Sequence, residues 1–449
     1  MRTKLQPLTG WGRYPRECCE LCRPERYADL RPGHAATIAR GQGRSYGDAA
    51  LNKDGLVVLT ERINRVLALD ETAGILTVEA GTTLGQILDI IVVRGWFLPV
   101  VPGTRYVSVG GAIAADIHGK NHHRDGSFGQ HVLEIELIAS TGERTVCGPN
   151  QFSDAFWATV GGMGLTGIIG TVKLEVMRIP SAYTQVEYRK SGDLDHAFRI
   201  LTDPEFDDHY SVAWIDCLAG GPDLGRSIIM TAHHAPREEL PSVSRSRPFI
   251  TRAPAGIAIP FDMPGWLLKP TTVKAFNALY YTWHGAKNRP VIIDYQRYFF
   301  PLDALRSWNR LYGRRGFLQY QCVLPAATAH AGIKNILEIL SGSGCAPFLG
   351  VLKRLGPPSS GHLSFPMSGF TLAMDIPMDG ASLLATLNRI DEIVLEHRGR
   401  VYLAKDARLS PARFRAMYER YPDWLVVKRR LDPMNCFQSS LSRRLEMAP

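Results

Sequence analysis

A strand-length stretch, Thr37-Ile-Ala-Arg40, runs without a spacer into Gly41-Gln-Gly-Arg-Ser-Tyr-Gly47, and this join restricts the fold more than any other segment. Closely spaced glycines permit a tight turn whose successive backbone N–H groups converge on an anion without a helix dipole behind them. The spacing is one residue too long for the dinucleotide fingerprint, which must follow a strand and open a helix. A literal G-x-G-x-x-G does occur, at Gly162-Met-Gly164-Leu-Thr-Gly167, but it follows the helix-like Asp154–Thr159 and leads into an alternating stretch. That order is inverted, so no nicotinamide site is expected there. A third stretch, Pro102-Gly-Thr-Arg105 followed by Val109-Gly-Gly-Ala-Ile-Ala-Ala-Asp-Ile-His-Gly119, is small enough for backbone to approach a flat ligand closely.

Around these turns, Gly55–Thr60, Ile75–Glu79, Leu133–Leu137 and Val172–Met177 read as strands by length and alternation. Leu84–Arg94, introduced by Gly81-Thr-Thr83, and Leu383–His397 have helical spacing, and Arg400–Leu403 reads as a short strand. Strands and helices mixed without a regular βαβ period predict an α+β chain, and 449 residues exceed one compact core, so two domains are expected. From Arg237 to Pro270 the chain is rich in Pro, Ser and Arg and carries the apolar pieces Ala255–Phe261 and Gly265–Leu268. This reads as an irregular loop, either packed over a core or resting on lipid. The 52 basic against 43 acidic residues leave +9, suited to an anionic substrate or a membrane surface, and no Lys/Arg run favours nucleic acid. No segment is long and apolar enough to span a bilayer. The N-terminal Met1–Pro7 lacks an apolar signal core, so synthesis in the cytoplasm is expected. Of the 8 cysteines, Cys18, Cys19 and Cys22 cluster without a second pair; they read as reduced thiols near a mobile N-terminus rather than zinc ligands. His118, His122 and His123 lack the carboxylate or thiol partners of a metal centre, and none is expected.

Taken in order, these motifs resemble the flavin oxidoreductases of the vanillyl-alcohol-oxidase type. The resemblance rests on Leu8-Thr-Gly-Trp-Gly-Arg13, Ala39–Asp48, Pro102–Arg105, Asp116-Ile-His-Gly-Lys-Asn-His-His123, Phe156–Gly162, Gly164–Ile169, Gly316-Phe-Leu-Gln-Tyr-Gln321, Tyr402 with Lys405-Asp406, and Arg443–Glu446. It spans essentially the whole chain. It implies a two-domain α+β flavoprotein: a split FAD-binding domain (1–181, with 400–449 returning to it) around an antiparallel-sheet substrate domain (182–399). The FAD pyrophosphate would lie on the nest Arg40, Gly41, Gln42, Gly43, Arg44, Ser45, Tyr46 and Gly47. Gly103, Thr104, Gly110, Gly111, Ala114, Ala115, Ile117, His118, Gly119, Ile169 and Tyr402 would line the rest of the cofactor. Relatives with covalent flavin often place His where this chain has Arg44, so the FAD is expected to be non-covalent.

The resemblance also implies oxidation of the 2′-hydroxyl of a polyprenylphosphoryl-β-D-ribofuranose to the 2′-keto form. That is the first half of an epimerisation to an arabinofuranose donor for cell-envelope glycans, completed by a separate NAD(P)H-dependent keto-reductase. Such chemistry needs a base at the hydroxyl. Lys405 is expected to carry it, with its pKa lowered by burial or positive neighbours, and His118, which titrates near neutrality unaided, is expected to help. Tyr46, Lys120, Trp214, Gln319, Gln321 and Lys353 match substrate positions, with Trp214 equally readable as core. A greasy tail requires an open wall and peripheral contact with the inner membrane, for which Ile257–Leu268 is the candidate. Ala373 and Ala115 stand where mycobacterial relatives carry Cys, and Thr371 where they carry Asn, so pocket shape is altered. The rivals are an aldonolactone or other sugar oxidase on the same FAD scaffold, and a flavoprotein retained as a scaffold.

Overall fold

The computed structural model describes residues 3–33, 36–251, 256–286 and 289–447. Three principal sheets organise it. In the first, the order is Thr3–Thr9, Arg16–Cys22, Leu56–Leu59, Thr37–Arg40, with one antiparallel pair followed by two parallel ones. Leu56-Val-Val-Leu59 lies between two neighbours and is buried along its length, as its uninterrupted apolar run demands. The cysteine cluster belongs to this sheet and not to a loose terminus: Cys19 and Cys22 are buried in Arg16–Cys22 and only Cys18 is exposed. The second sheet is antiparallel, in the order Val66–Asp70, Ile75–Glu79, Ile168–Glu175, Val132–Ile138, Arg144–Cys147. Beside it the helix Leu84–Ile91 starts on a capping box, Gln86 N–H to Thr83 Oγ1 at 3.1 Å and Thr83 N–H to Gln86 Oε1 at 2.9 Å. The helix tightens at Val92–Arg94 and stops at Gly95, whose φ is +78°.

The third sheet has eight antiparallel strands, ordered Val291–Asp294, Tyr183–Ser191, Ser227–His234, Tyr210–Ile215, Leu349–Leu355, Gly369–Pro377, Phe317–Pro325, Arg400–Val401. Period-two alternation divides its faces. Leu318, Tyr320, Cys322, Leu324, Leu352, Leu372, Met374 and Ile376 build a core with the helices Ala326–Gly342 and Ala381–Glu396. The register puts the intervening residues in rows on the other face: Gln319 opposite Asp375, Gln321 opposite Ala373 and Ala373 in turn opposite Val351, and Thr371 opposite Lys353. Trp214 stands opposite Val351 and extends the second row.

Two segments depart from the sequence reading. The strand expected over Arg400–Leu403 stops at Val401, because Tyr402–Lys405 turns, with Lys405 N–H bonded to Tyr402 O at 2.9 Å. The stretch after Arg237 is irregular as expected, with short turns at Arg237–Glu239 and Ser242–Arg245 and a two-residue strand, Ile257–Ala258, beside Leu305–Arg306. Ala255 of its apolar run lies outside the described residues. Of that run Leu268 is packed against Trp308, Tyr312 and Phe317, whereas Ile257, Phe261 and Trp266 are exposed. A helix, Pro270–Gly285, then follows, unanticipated because its Thr, Tyr, Phe and Trp content lowers helical propensity. Its inner side seats Tyr280 on Trp214, with ring centroids 4.7 Å apart, and Asn277 on Asp216 at 2.7 Å. Phe276, Leu279 and Trp283, at i, i+3 and i+7, form an outward apolar stripe.

The C-terminal helix Ser440–Arg444 fastens the glycine turn to the Lys405 loop. Arg444 donates to both oxygens of Asp48 at 2.8 Å and to Asp406 Oδ2 at 2.9 Å. Asp406 Oδ1 also accepts the backbone N–H groups of Arg408 and Leu409. Burial opposes its charge, but Arg444 and Arg408 hold the Asp406 carboxyl below its ordinary pKa. Gly47 packs so closely on the Asp406 carbonyl that a Cβ there would collide with it. Arg444→Met would strand two buried carboxylates, a loss of about 3–5 kcal/mol for breaking a buried pair. A lowered thermal midpoint with reduced flavin content is the expected outcome by circular dichroism and absorbance.

Candidate active site

The turn after Thr37–Arg40 lies outside any strand or helix, and its residues remain partly open to solvent. Gly43 has φ +61°, the left-handed conformation that glycine adopts without strain. Its underside rests on the Arg40 guanidinium, which is anchored by Ala50 O at 3.0 Å and Thr9 O at 2.7 Å. A fixed positive charge therefore backs the cradle. Arg44 lies over Trp11, 4.0 Å from the ring centroid, and its Nε is buried without a hydrogen-bond partner among the described residues. Gly103 borders open space. An open glycine cradle, a cation beneath it and an orphaned donor fit a pyrophosphate-bearing cofactor. Thr104 is less available, since its hydroxyl is held by Asp303 at 2.7 Å. Gly110 packs on Ala80, Ile117 and Ile169 are buried, and Tyr402 bonds the Ala115 carbonyl at 2.7 Å.

Asp116, fully buried with φ +40°, anchors the segment that carries His118. Its carboxylate accepts from Ser127 at 2.9 Å, Gly129 N–H at 2.9 Å, Ser359 at 2.6 Å and Ser364 at 2.5 Å. The three nearby histidines diverge. His122 accepts Gly356 N–H at 3.0 Å, His123 turns to Asp208 O at 3.0 Å, and His118 enters the pocket. Among the described residues no group of three His, Cys, Asp or Glu is arranged to hold a metal ion.

His118 meets the polar face of the large sheet. Thr371 donates its hydroxyl proton to Cys322 O at 2.8 Å and accepts from Gln321 Nε2 at 3.1 Å. The second N–H of that amide points to His118 Nε2 at 2.9 Å, which makes Nε2 the acceptor and puts the proton of a neutral ring on Nδ1. Nδ1 faces Lys353 Nζ at 3.2 Å, a contact that leaves one of the two nitrogens unprotonated. Burial, then Lys353, holds the His118 pKa well below its ordinary value, so the ring is neutral near pH 7 instead of poised to titrate there.

Three recessed lysines converge on this face. Lys120 lies 3.8 Å from the Tyr298 ring centroid and donates to the Tyr298 carbonyl; burial, then Lys353, pushes it down to about 7. Lys353 is pushed down to about 8 by burial. Lys405 lies 3.9 Å from the Tyr46 ring centroid and is pushed down to about 7 by burial and by Lys353, with Asp375 opposing. The structure thus brings His118, Lys353, Gln321, Gln319, Tyr46 and Lys405 into one region. Lys120 is coupled to it through Lys353, and Trp214 sits in the row behind Ala373 with Tyr280 on its ring. Asp375 and Tyr312 were missed by the sequence reading. The legible signal was a lone carboxylate within the apolar strand Gly369–Pro377.

A family profile described as an FAD binding domain matches residues 31–148. A decaprenylphosphoryl-beta-D-ribose oxidase of Mycolicibacterium smegmatis is 38% identical over 99% of this chain and 98% of its own length. An uncharacterised protein of Streptomyces coelicolor is 34% identical over 81% of this chain and 99% of its own. A protein of Neurospora crassa named as a D-arabinono-1,4-lactone oxidase matches at 29% over only 36% of this chain and 29% of its own length. With identity running end to end, the chain is an FAD-dependent oxidoreductase and belongs to the decaprenylphosphoryl-β-D-ribose oxidase family.

Proposed function

We propose that this chain oxidises the 2′-hydroxyl of a polyprenylphosphoryl-β-D-ribofuranose to the 2′-ketone. The observation that carries the reading is the charge of the pocket. Lys120, Lys353 and Lys405 converge with Asp375 acting on Lys405 alone, a site short of negative charge that a phosphodiester would supply. Bound FAD supplies the two-electron acceptor for hydride leaving the carbon. Gly41–Gly47 and Arg40 would hold its pyrophosphate, and Arg44, which is not a flavin-linking nucleophile, supports non-covalent attachment. Lys405, as the neutral amine, takes the hydroxyl proton. Neutral His118, held by Gln321 and Lys353, orients the sugar. The ketone would require a separate NAD(P)H-dependent reductase to complete an epimerisation to the arabinofuranose donor for cell-envelope glycans.

The lipid tail needs an exit and the enzyme a way to meet it. No helix among the described residues is long and apolar enough to cross a membrane. Exposed Ile257, Phe261, Trp266 and the Phe276/Leu279/Trp283 stripe, flanked by Lys269 and Lys274, support peripheral contact with an anionic bilayer, proposed to be the inner membrane. Replacing Phe261 and Trp266 by Ser is expected to reduce cosedimentation with anionic phospholipid vesicles severalfold; unchanged partitioning refutes this contact.

The deciding experiment is an anaerobic visible spectrum with a short-chain prenylphosphoryl ribose. The oxidised-flavin band should bleach, and acid denaturation should release all of the FAD into the filtrate. Bleaching by an aldonolactone or free sugar but not by this donor overturns the substrate, and flavin left on the peptide overturns non-covalent attachment. The reduction rate should rise with pH through about 7, as Lys405 loses its proton, and Lys405→Ala should abolish that rise with a rate loss on the order of 10²–10⁴-fold.

A further inference from the structure

Asp375 occupies the pocket floor on Gly369–Pro377, one strand from Gln319 and two residues from Ala373. It is 1% exposed. Gln319 Nε2 donates to its Oδ1, while Oδ2 has no hydrogen-bond partner among the described residues. The Tyr312 hydroxyl approaches the carboxyl without completing a hydrogen bond. An unpaired buried carboxylate oxygen is costly, so a carboxylate kept there must find a cation or carry a proton. Its partner Gln319 lines one cavity with Lys405, the cation whose charge acts on the carboxyl. Tyr46 lies between the glycine turn and this pair, under Lys405 Nζ. Lys353 from Leu349–Leu355 also acts on Lys405, and His118 bonds Lys353 in turn. Asp406 and Arg408, on the loop of Lys405 itself, are occupied by Arg444 and Asp391.

We propose that Asp375 is a positioning residue for Lys405, the counter-charge that sets the proton affinity of the amine at the substrate hydroxyl. This deepens the substrate reading above and rests on Lys405 being the base in it. When the hydroxyl O–H bond breaks and an N–H bond forms on Lys405, the new ammonium is repelled by Lys353 and stabilised by Asp375. Without Asp375 the amine is crowded by positive charge alone and holds a proton less well. Burial pushes the Asp375 carboxyl up to about 7 while Gln319 and Lys405 pull it back, so carboxylate and amine trade a proton within the working range.

The test reads Lys405 directly and needs no substrate. The FAD-loaded protein is pulsed with acetic anhydride across pH, and acetylation of Lys405, which requires the free amine, is followed by peptide mass spectrometry. The wild-type midpoint is expected near pH 7. In Asp375→Asn it should fall by about one pH unit, a roughly tenfold change in proton affinity, while Asp375→Glu restores it toward wild type. FAD content and melting temperature verify the fold. Should the Asn variant not fold, Gln319→Met is read instead: losing the amide favours a protonated Asp375, which also lowers the Lys405 midpoint. An unchanged midpoint in the folded variant overturns the proposal. The pH limb of flavin reduction by prenylphosphoryl ribose should move down in parallel. A moved acetylation midpoint together with no bleaching of the wild type would sustain the Asp375–Lys405 pairing and overturn the substrate alone.

Discussion

The ion pair of Arg444 with Asp48 and Asp406 is the contact on which the site depends. It joins three places distant in sequence: the end of the glycine turn, the loop that presents Lys405, and the last helix. The two carboxylates are buried, and the guanidinium, whose planar fork reaches both, offsets that burial, with Arg408 and two backbone N–H groups assisting at Asp406. The glycine of the turn nearest this joint, Gly47, is needed because the Asp406 carbonyl occupies the space a side chain would take. Cofactor cradle and reactive amine are therefore one mechanical unit, closed by residues near the end of the chain.

Within that unit the electrostatics are arranged by exclusion of water more than by pairing. Three lysines are forced toward their neutral forms, and His118 is kept neutral by the same crowding. A histidine in that state fixes Gln321 and Lys353 through its two nitrogens and adds no charge to repel the cationic pocket further. Its hydrogen-bond partner Gln321 is fixed by Thr371, whose hydroxyl is itself held by the Cys322 carbonyl. Ala373, with its short side chain, leaves the middle of the floor partly open.

Much of this was legible because backbone demands leave marks in sequence. Glycines at 41, 43 and 47, the inverted order around Gly162–Gly167, and the Thr83 cap each reflect a local geometric requirement, and the structure displays them: Ser153–Thr159 precedes the second motif and Ile168–Glu175 follows it. Lys405 was visible through family resemblance alone, since a single lysine in a loop has no periodic signature. Asp375 escaped because its meaning is set by neighbours on two other strands and by a loop, none of them near in sequence. The helix Pro270–Gly285 escaped for a different reason. Apolar residues on both its faces blur the amphipathic pattern, one face being spent on Trp214 and Asp216 and the other left outward.

The two faces of the large sheet are written in a single alternating string. In Phe370-Thr-Leu-Ala-Met-Asp-Ile376, the odd-numbered positions furnish the floor of the pocket and the even-numbered ones the core under it. The two can change independently by substitution, since they face opposite sides of the sheet. They cannot drift by insertion or deletion: one residue gained or lost would carry Asp375 into the hydrophobic layer and Met374 into the site. Evolution of substrate preference on this scaffold is thus confined to exchanges at fixed length in these strands, and changes of length are left to the segments that border them.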